Sequence, residues 1–279
     1  MGRLKASAFG RFCYEGGKSV IEEIRNYYDN YDEDGRLLPR HGQVEYLTTM
    51  RYIEKYLAPG ARVCEIGAGT GRYSHAVARM GHRVDAVELV PKNIEIFREN
   101  ARPGENVSVS QGDARDLSVL PDGAYDLTLL LGPMYHLFTE ADKLQALAEA
   151  VRVTKPGGIL MVAYCVADAS ILQYGFIQGN IHNLIEIGLV NPETFRASSR
   201  PQDVFELHRK EDVVRLMAGL STERLHYVAS DLYTNHMRET VDAMADETFE
   251  LYLHYHFTIC ERADMVGLSN HTLDIHRRR

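Results

Sequence analysis

The sequence has no tryptophan and only 4 cysteines in 279 residues. Cys13, Cys64, Cys165 and Cys260 stand far apart with no C-x-x-C pair, which argues against a zinc knuckle or a disulfide framework and leaves buried free thiols as the expectation. A basic excess is missing too. Lys and Arg total 31 against 39 Asp and Glu, a net charge of −8, so bulk electrostatics does not recruit a nucleic acid. No uninterrupted apolar run approaches the ~20 residues of a membrane helix, and the opening MGRLKASAFGRFCYEGG lacks the apolar centre of a signal peptide. A cytoplasmic protein, monomeric or homodimeric, is expected. The 12 histidines show no ligand-type spacing, so no metal is expected.

What is present is ordinary globular material, 45% hydrophobic and 25% charged, sufficient for one large or two small cores. The first ~60 residues are rich in tyrosine (Tyr27, Tyr28, Tyr31, Tyr46, Tyr52, Tyr56) and read as two helical pieces. The second piece, roughly 43–57, puts Tyr46, Leu47, Met50, Ile53, Tyr56 and Leu57 on one face before Pro59-Gly60 ends it. From Arg62 short β-rich runs alternate with helix-length segments, the pattern of a parallel sheet wrapped by helices. Strands are expected near 62–67, 83–88, 107–111, 125–131 and 158–165, with helices near 71–80, 91–100 and 140–152, the last burying Leu144, Leu147, Ala148 and Val151. Between about 168 and 207 the rhythm breaks into an insert with a helix over 171–187, and a connection of this length suits a lid. A helix near 210–218, a strand near 224–229, a long helix near 239–263 and an antiparallel closing strand over 271–276 complete the chain. The expected domains are a helical lid over 1–60 and an α/β domain over 61–279.

The most informative stretch is Val63-Cys64-Glu65-Ile66-Gly67-Ala68-Gly69-Thr70-Gly71. An apolar strand runs into three glycines and then a helix, which offers free amides and close main-chain approach at the first switch of an α/β sheet. The dinucleotide fingerprint needs glycine at the first, third and sixth positions; here the sixth is Arg72. Glu65, just before the turn, suits a cationic amino group better than a pyrophosphate.

These residues resemble the first motif of the class I S-adenosyl-L-methionine-dependent methyltransferases, and further motifs follow in order over roughly 62–165. Glu88, ending Val84-Asp85-Ala86-Val87-Glu88-Leu89, is similar to the family's ribose-binding acid, with Leu89 beside it; two acceptor oxygens suit two vicinal hydroxyls. Asp113 in Gln111-Gly112-Asp113-Ala114 resembles the acid near the adenine amino group, with Ala114 next to it. Tyr125 to Leu131 resembles the fourth-strand motif, and Lys155-Pro156-Gly157-Gly158 the turn into the fifth strand. The resemblance implies a Rossmann-like, doubly wound, mostly parallel seven-stranded sheet with an antiparallel last strand. It also implies S-adenosyl-L-methionine as cofactor, bound by Glu65, Gly67, Gly69, Gly71, Glu88, Leu89, Asp113, Ala114 and Leu131.

The acceptor is expected beyond the fourth strand, at Leu131-Gly132-Pro133-Met134-Tyr135-His136-Leu137. This loop resembles the Asn/Asp-Pro-Pro-Tyr segment of amino-group methyltransferases. It departs from that pattern at Gly132 and Met134, so the device that grips an exocyclic amine is missing. Tyr135 and His136 remain as the catalytic candidates. His136 is either a general base or a structural histidine at the following helix, and Tyr135 lines the pocket. Ile171, Tyr174, Phe176, Ile177, Asn180 and His182 of the insert, with Phe249, Tyr252 and His256 of the late helix, are lid or core. The acidic balance and the enclosing insert point to a small, partly apolar acceptor. The rivals are a nucleic-acid or protein methyltransferase, an NAD-type oxidoreductase and a non-catalytic cofactor-binding module.

Overall fold

The computed structural model describes residues 19–279; the Cys13 expectation lies outside them. The first helix of the described residues is α1 (Val20–Asn30), whose first turn is closed by a reciprocal cap in which Ser19 and Glu22 each accept the other's main-chain N–H. Next comes α2 (Arg40–Tyr56), then the alternating core: β1 (Arg62–Ile66), α3 (Arg72–Arg79), β2 (Arg83–Glu88), α4 (Pro91–Glu99), β3 (Val107–Gln111), β4 (Tyr125–Leu130), α5 (Glu140–Val153) and β5 (Thr154–Val166). The insert holds α6 (Ala167–Ser170), a π-helical stretch (Ile171–Ile177), α7 (Ile181–Glu186) and β6 (Leu207–His208). After it come α8 (Lys210–Ala218), β7 (Thr222–Ala229), α9 (Arg238–Asp242), α10 (Asp246–Ile259) and β8 (His271–Arg278).

The sheet has eight strands in the order β3-β2-β1-β4-β5-β8-β7, with β6 paired to the end of β5. β8 is antiparallel to both neighbours and lies between β5 and β7, with β7 as the edge. The two-residue β6 is the addition to the expected seven strands. Side chains alternate across the sheet, so two apolar layers form. Val63, Leu127 and Leu129 pack with Met50 and Ile53 of α2 and Val77 of α3 on one face. Cys64, Ile66 and Leu130 pack with Ala146 and Leu147 of α5 and Leu216 of α8 on the other.

Three expected helices differ in detail. α5 buries Ala146, Leu147, Ala150 and Val153 and leaves Leu144 38% exposed, a stripe rotated from the expected one. The expected 171–187 helix breaks at Gly179, whose φ of +76° interrupts the right-handed path. The expected 239–263 helix splits at residues 243–245. There the start of α2 ties down both pieces: His41 donates its backbone N–H and Nδ1–H to Asp242, and Arg40 pairs with Asp246. α2 itself buries Val44, Thr48, Thr49 and Tyr52 as well as Met50 and Ile53, because it is covered on a second side by α10, where Thr48 meets His256 at 2.9 Å.

Topology decides where ligands meet the fold. The carboxyl ends of β1, β2 and β4 open on one edge of the sheet. Because β8 runs the other way, its first residue, His271, arrives at that same edge in register with Cys165 near the end of β5.

Candidate functional site

The three glycines after β1 all have positive φ: +72° at Gly67, +56° at Gly69 and +86° at Gly71. Their roles differ. A Cβ on Gly67 would lie 2.6 Å from the Pro133 ring, and one on Gly71 2.4 Å from the Phe97 ring, so both serve close packing. Gly69 meets nothing closer than the Glu33 side chain, at 3.5 Å. It is the position where the main chain lies open to the cavity. No side chain caps α3 at Gly71, so the helix begins with free amides beside the turn.

Glu88 ends β2 as a brace for this turn. One oxygen accepts from Gly69 N at 2.8 Å, the other from Val90 N at 2.9 Å and Asn93 Nδ2 at 3.4 Å. The oxygen that meets Gly69 retains acceptor capacity. Burial raises its pKa against those hydrogen bonds. Glu65, 1% exposed, accepts from the Ser74 hydroxyl, and burial pushes it up to about 8 with no cation beside it. Leu89, Ala114 and Leu131 line the same cavity. Asp113 also lines it, yet its carboxylate is held by Arg115, which donates through Nε at 3.0 Å and Nη2 at 2.7 Å and reaches on to Asp142.

The cavity, of about 1300 Å³, continues from the glycine turn across the ends of β4, β5 and β8. Its roof is the amino-terminal segment. Tyr27 and Tyr28 of α1 and Tyr31 just after it face in, and Lys92 Nζ donates to the carbonyls of Tyr28 and Asp29 at the end of that helix. Asn100 ties Asp34 down at 2.9 Å, and Glu33 lies over Gly69. Ile171 and Tyr174 of the insert close another side, whereas Phe176 and Ile177 are more than half exposed and Asn180 and His182 do not reach the cavity. Phe249, Tyr252 and His256 pack or hydrogen-bond away from it.

His136 lies in the wall with both ring nitrogens engaged. Nδ1–H donates to Val204 O at 2.8 Å, and Nε2 accepts from the Tyr28 hydroxyl at 3.0 Å. Burial lowers its pKa to about 4, against the Val204 hydrogen bond. The expected cap of the following helix is made by Thr139 and not by His136, whose two contacts join α1 to the insert. Val204 has φ +67°, a strained conformation for a β-branched residue, and its carbonyl is the one that receives the imidazole. Tyr135, 7% exposed, lines the cavity with its ring centroid 5.7 Å from that of His271.

A polar cluster at the far end of the cavity was absent from the sequence reading. Glu45 accepts from Arg36 Nη1 at 2.8 Å, Arg36 Nε donates to Glu33 at 3.3 Å, and His271 Nδ1 lies 3.0 Å from Asp231 and 3.4 Å from Glu45. Glu45, Asp231 and His271 bring ligand-type atoms within 4.8 Å of one another, but the charges that balance the two carboxylates belong to the chain itself, Arg36 and His271. The residues come from positions 33 to 271, and no local motif links them. The one available signal was polar residues next to the ends of predicted strands.

Known proteins fit this geometry. Residues 63–158 match the family described as methyltransferase domain. The ubiquinone biosynthesis O-methyltransferase of Xanthomonas campestris pv. campestris is 29% identical over 137 residues, covering 48% of this chain and 54% of that protein. The 2-methyl-6-phytyl-1,4-hydroquinone methyltransferase of Synechocystis is 33% identical over 170 residues, 53% of this chain and 52% of that one. The chain thus spans about half the length of the curated relatives it matches. In fold it is similar to the magnesium protoporphyrin IX methyltransferase of Synechocystis, solved with bound SAH, at a TM-score of 0.58 and 12% identity, covering 94% of this chain and 100% of that one. Residues 63–158 thus match a methyltransferase domain, and the fold as a whole is similar to that of the solved methyltransferase. No helix among the described residues is long and apolar enough to cross a membrane.

Proposed function

We propose that this chain transfers the methyl group of S-adenosylmethionine to an O, N or S atom of a small-molecule acceptor in the cytoplasm. The observation that carries the reading is one continuous cavity, whose ~1300 Å³ exceeds the few hundred to about 1000 Å³ of a single-ligand pocket. It begins at a glycine turn braced by Glu88 and ends among aromatic and charged side chains. Two ligands fit such a space side by side.

The residues suit the cofactor. Gly69 offers open backbone, Glu88 has acceptor capacity left for the ribose hydroxyls, and Glu65 is a buried carboxyl that a cationic amino group would ionise. Leu89, Ala114 and Leu131 supply apolar walls, with Asp113 and its Arg115 partner at the adenine end. Bound there, the cofactor supplies an electrophilic methyl on a sulfonium. The chain's part is to align the nucleophile and exclude water. Tyr28, Tyr135 and Phe205 wall the acceptor space, and the His136 links to Tyr28 and Val204 hold the roof closed. Roofing of this kind favours a metabolite over a macromolecule. The buried free thiols Cys64, Cys165 and Cys260 accord with a reducing compartment.

The test has two stages. Calorimetry with S-adenosylhomocysteine should show saturable binding, and incubation with methyl-labelled cofactor and a metabolite extract should yield one labelled small molecule identifiable by mass. Binding without any labelled product leaves a non-catalytic module, and label on RNA or protein transfers the function to a macromolecular acceptor.

A further inference from the structure

The carboxylates of the polar cluster at the far end of the cavity are all engaged within the chain. Glu45 meets Arg36 and His271, Glu33 meets Arg36, and Asp231 accepts from His271 Nδ1, from the Ser269 and Asn235 side chains and from two main-chain N–H groups. Burial would lower the His271 pKa, but Glu45, Cys165 and Asp231 outweigh it and hold the imidazole protonated, well above its ordinary range. Arg36 and His271 therefore balance Glu45 and Asp231. Glu33, whose pKa burial raises, lies over Gly69 towards the glycine turn.

The arginines that line the cavity do not all find such partners. Arg115 spans Asp113 and Asp142, Arg36 spans Glu33 and Glu45, and Arg72 lies over the Tyr46 ring at 5.7 Å. Arg238, the first residue of α9, is different. Its Nε donates to Asn235 Oδ1 at 2.7 Å, but its Nη1 and Nη2 have no hydrogen-bond or ion-pair partner among the described residues. Asp242, one turn further along α9, is held through both oxygens by His41. Asn235 is fixed in turn, since it is 8% exposed and donates its Nδ2 to Asp231. A buried amide thus sets the guanidinium plane, and the two outer nitrogens stay open.

We infer that Arg238 selects an acceptor that carries a carboxylate on an aromatic ring, gripping that carboxylate through Nη1 and Nη2. Two parallel N–H···O bonds match the planar fork of a guanidinium, and the cation left over in a charge-balanced wall is satisfied by an anionic guest rather than a neutral one. Tyr31 stands at the same corner. Burial raises the pKa of its phenol while Arg36 and Arg238 pull against that shift, so the hydroxyl lies in the field of both guanidinium groups. The ring of Tyr31 stacks on that of Tyr27 at 5.1 Å, and Tyr27 meets Phe205 edge-on at 5.3 Å, which gives a flat guest an aromatic wall. Arg238 itself is exposed, so a carboxylate bound there keeps part of its hydration while the ring is enclosed. The inference deepens the methyl-transfer reading and rests on it: the carboxylate is the handle, and the nucleophile is another group of the same molecule.

The test is calorimetry of benzoate and benzamide, which share a ring and differ in charge, on the full chain saturated with S-adenosylhomocysteine. Benzoate should bind about tenfold more tightly than benzamide, the advantage expected of a charge-assisted pair, and that advantage should shrink as salt is added. Arg238→Gln should bring the two ligands to within about twofold of each other. Arg238→Lys should keep part of the preference, because the charge remains and the fork does not. Thermal melts check the folding of both variants; should Arg238→Gln unfold, Arg238→Lys decides. Equal binding of the two ligands, a preference that survives Arg238→Gln, or benzoate that does not bind at millimolar concentration overturns the assignment. S-adenosylhomocysteine has a carboxylate of its own, so it is titrated into each protein as well. An affinity for it that falls about tenfold in Arg238→Gln gives the guanidinium to the cofactor and overturns the acceptor assignment. The benzoate titration repeated without S-adenosylhomocysteine separates the two readings. A wild-type chain that does not bind S-adenosylhomocysteine removes the methyltransferase reading, while an Arg238-dependent preference for benzoate keeps the carboxylate subsite. Normal S-adenosylhomocysteine binding without that preference removes the subsite alone.

Discussion

At the glycine-turn end of the cavity the polar groups are main-chain amides and the carboxyls of Glu65 and Glu88, at the ends of adjacent strands and within 24 positions of one another. At the opposite end they are side chains, Arg36, Glu45, Asp231 and His271, brought together from the α1–α2 connection, α2, the turn after β7 and β8. The first end rests on backbone geometry, so it tolerates few substitutions and has little chemistry of its own. The second is a network of charges whose protonation depends on every neighbour, which suits the end where acceptors differ between relatives.

Substitution at the turn is the strongest way to separate the two ends. Gly71→Ala should cost about 3 kcal/mol of folding stability, since it combines strain at φ +86° with a Cβ 2.4 Å from the Phe97 ring. Urea denaturation checks it, and a loss below 1 kcal/mol would mean the turn relaxes easily. Glu88→Ala should weaken S-adenosylhomocysteine binding by about 2 kcal/mol, because it removes the brace on Gly69 and a charged acceptor together. Unchanged affinity in calorimetry would remove Glu88 from the cofactor site.

Glu65 sharpens the comparison through pH. Its folded pKa of about 8 lies above the ordinary carboxyl value, so the folded state binds more protons than the unfolded one between about pH 4.5 and 8 and stability falls as pH rises through that window. Glu65→Gln should remove that slope, so its gain over wild type is present at pH 9 and absent at pH 4. Parallel pH profiles for the two proteins would contradict the buried, uncompensated carboxyl. The smallest effect is expected at the roof. Tyr28→Phe deletes the hydrogen bond to His136 and should cost about 1 kcal/mol. Limited proteolysis should then cut the segment around α1 faster than in wild type, with the rest of the domain protected. His136 sets a further sign: with its pKa lowered to about 4, the folded state binds fewer protons than the unfolded one, so its contribution is lost as pH falls from about 6.5 towards 4.

Strands β1 to β4 were legible to within a residue because each is a short β-rich run bounded by turn residues. The mostly parallel sheet with its antiparallel last strand followed from the resemblance. The insert was visible as a break in rhythm, but its helix was read straight through Gly179, where it breaks, and the π-helical stretch had no local sign. The buried stripe of α5 was misjudged at Leu144 because periodicity alone does not say which residues its neighbours α8 and β5 cover. At the site, the glycine turn and Glu65 were picked out by their place at the end of a strand, and Glu88 by the resemblance. Asp113 was readable as a position but not as a partner of Arg115, whose side chain folds back onto it.

The two histidines mark the boundary between local and non-local information. Their residue type and strand-end positions are written in the chain, and so is the open backbone after Ile66, because a glycine's freedom is a property of that residue alone. Which groups meet each imidazole is not written there. Val204 and Tyr28 reach His136 across 68 and 108 positions, and Asp231 reaches His271 across 40 because β8 returns antiparallel beside β7. Basicity and hydrogen-bond capacity belong to the surroundings of a side chain, and in this fold those surroundings come from strands and helices far apart in sequence.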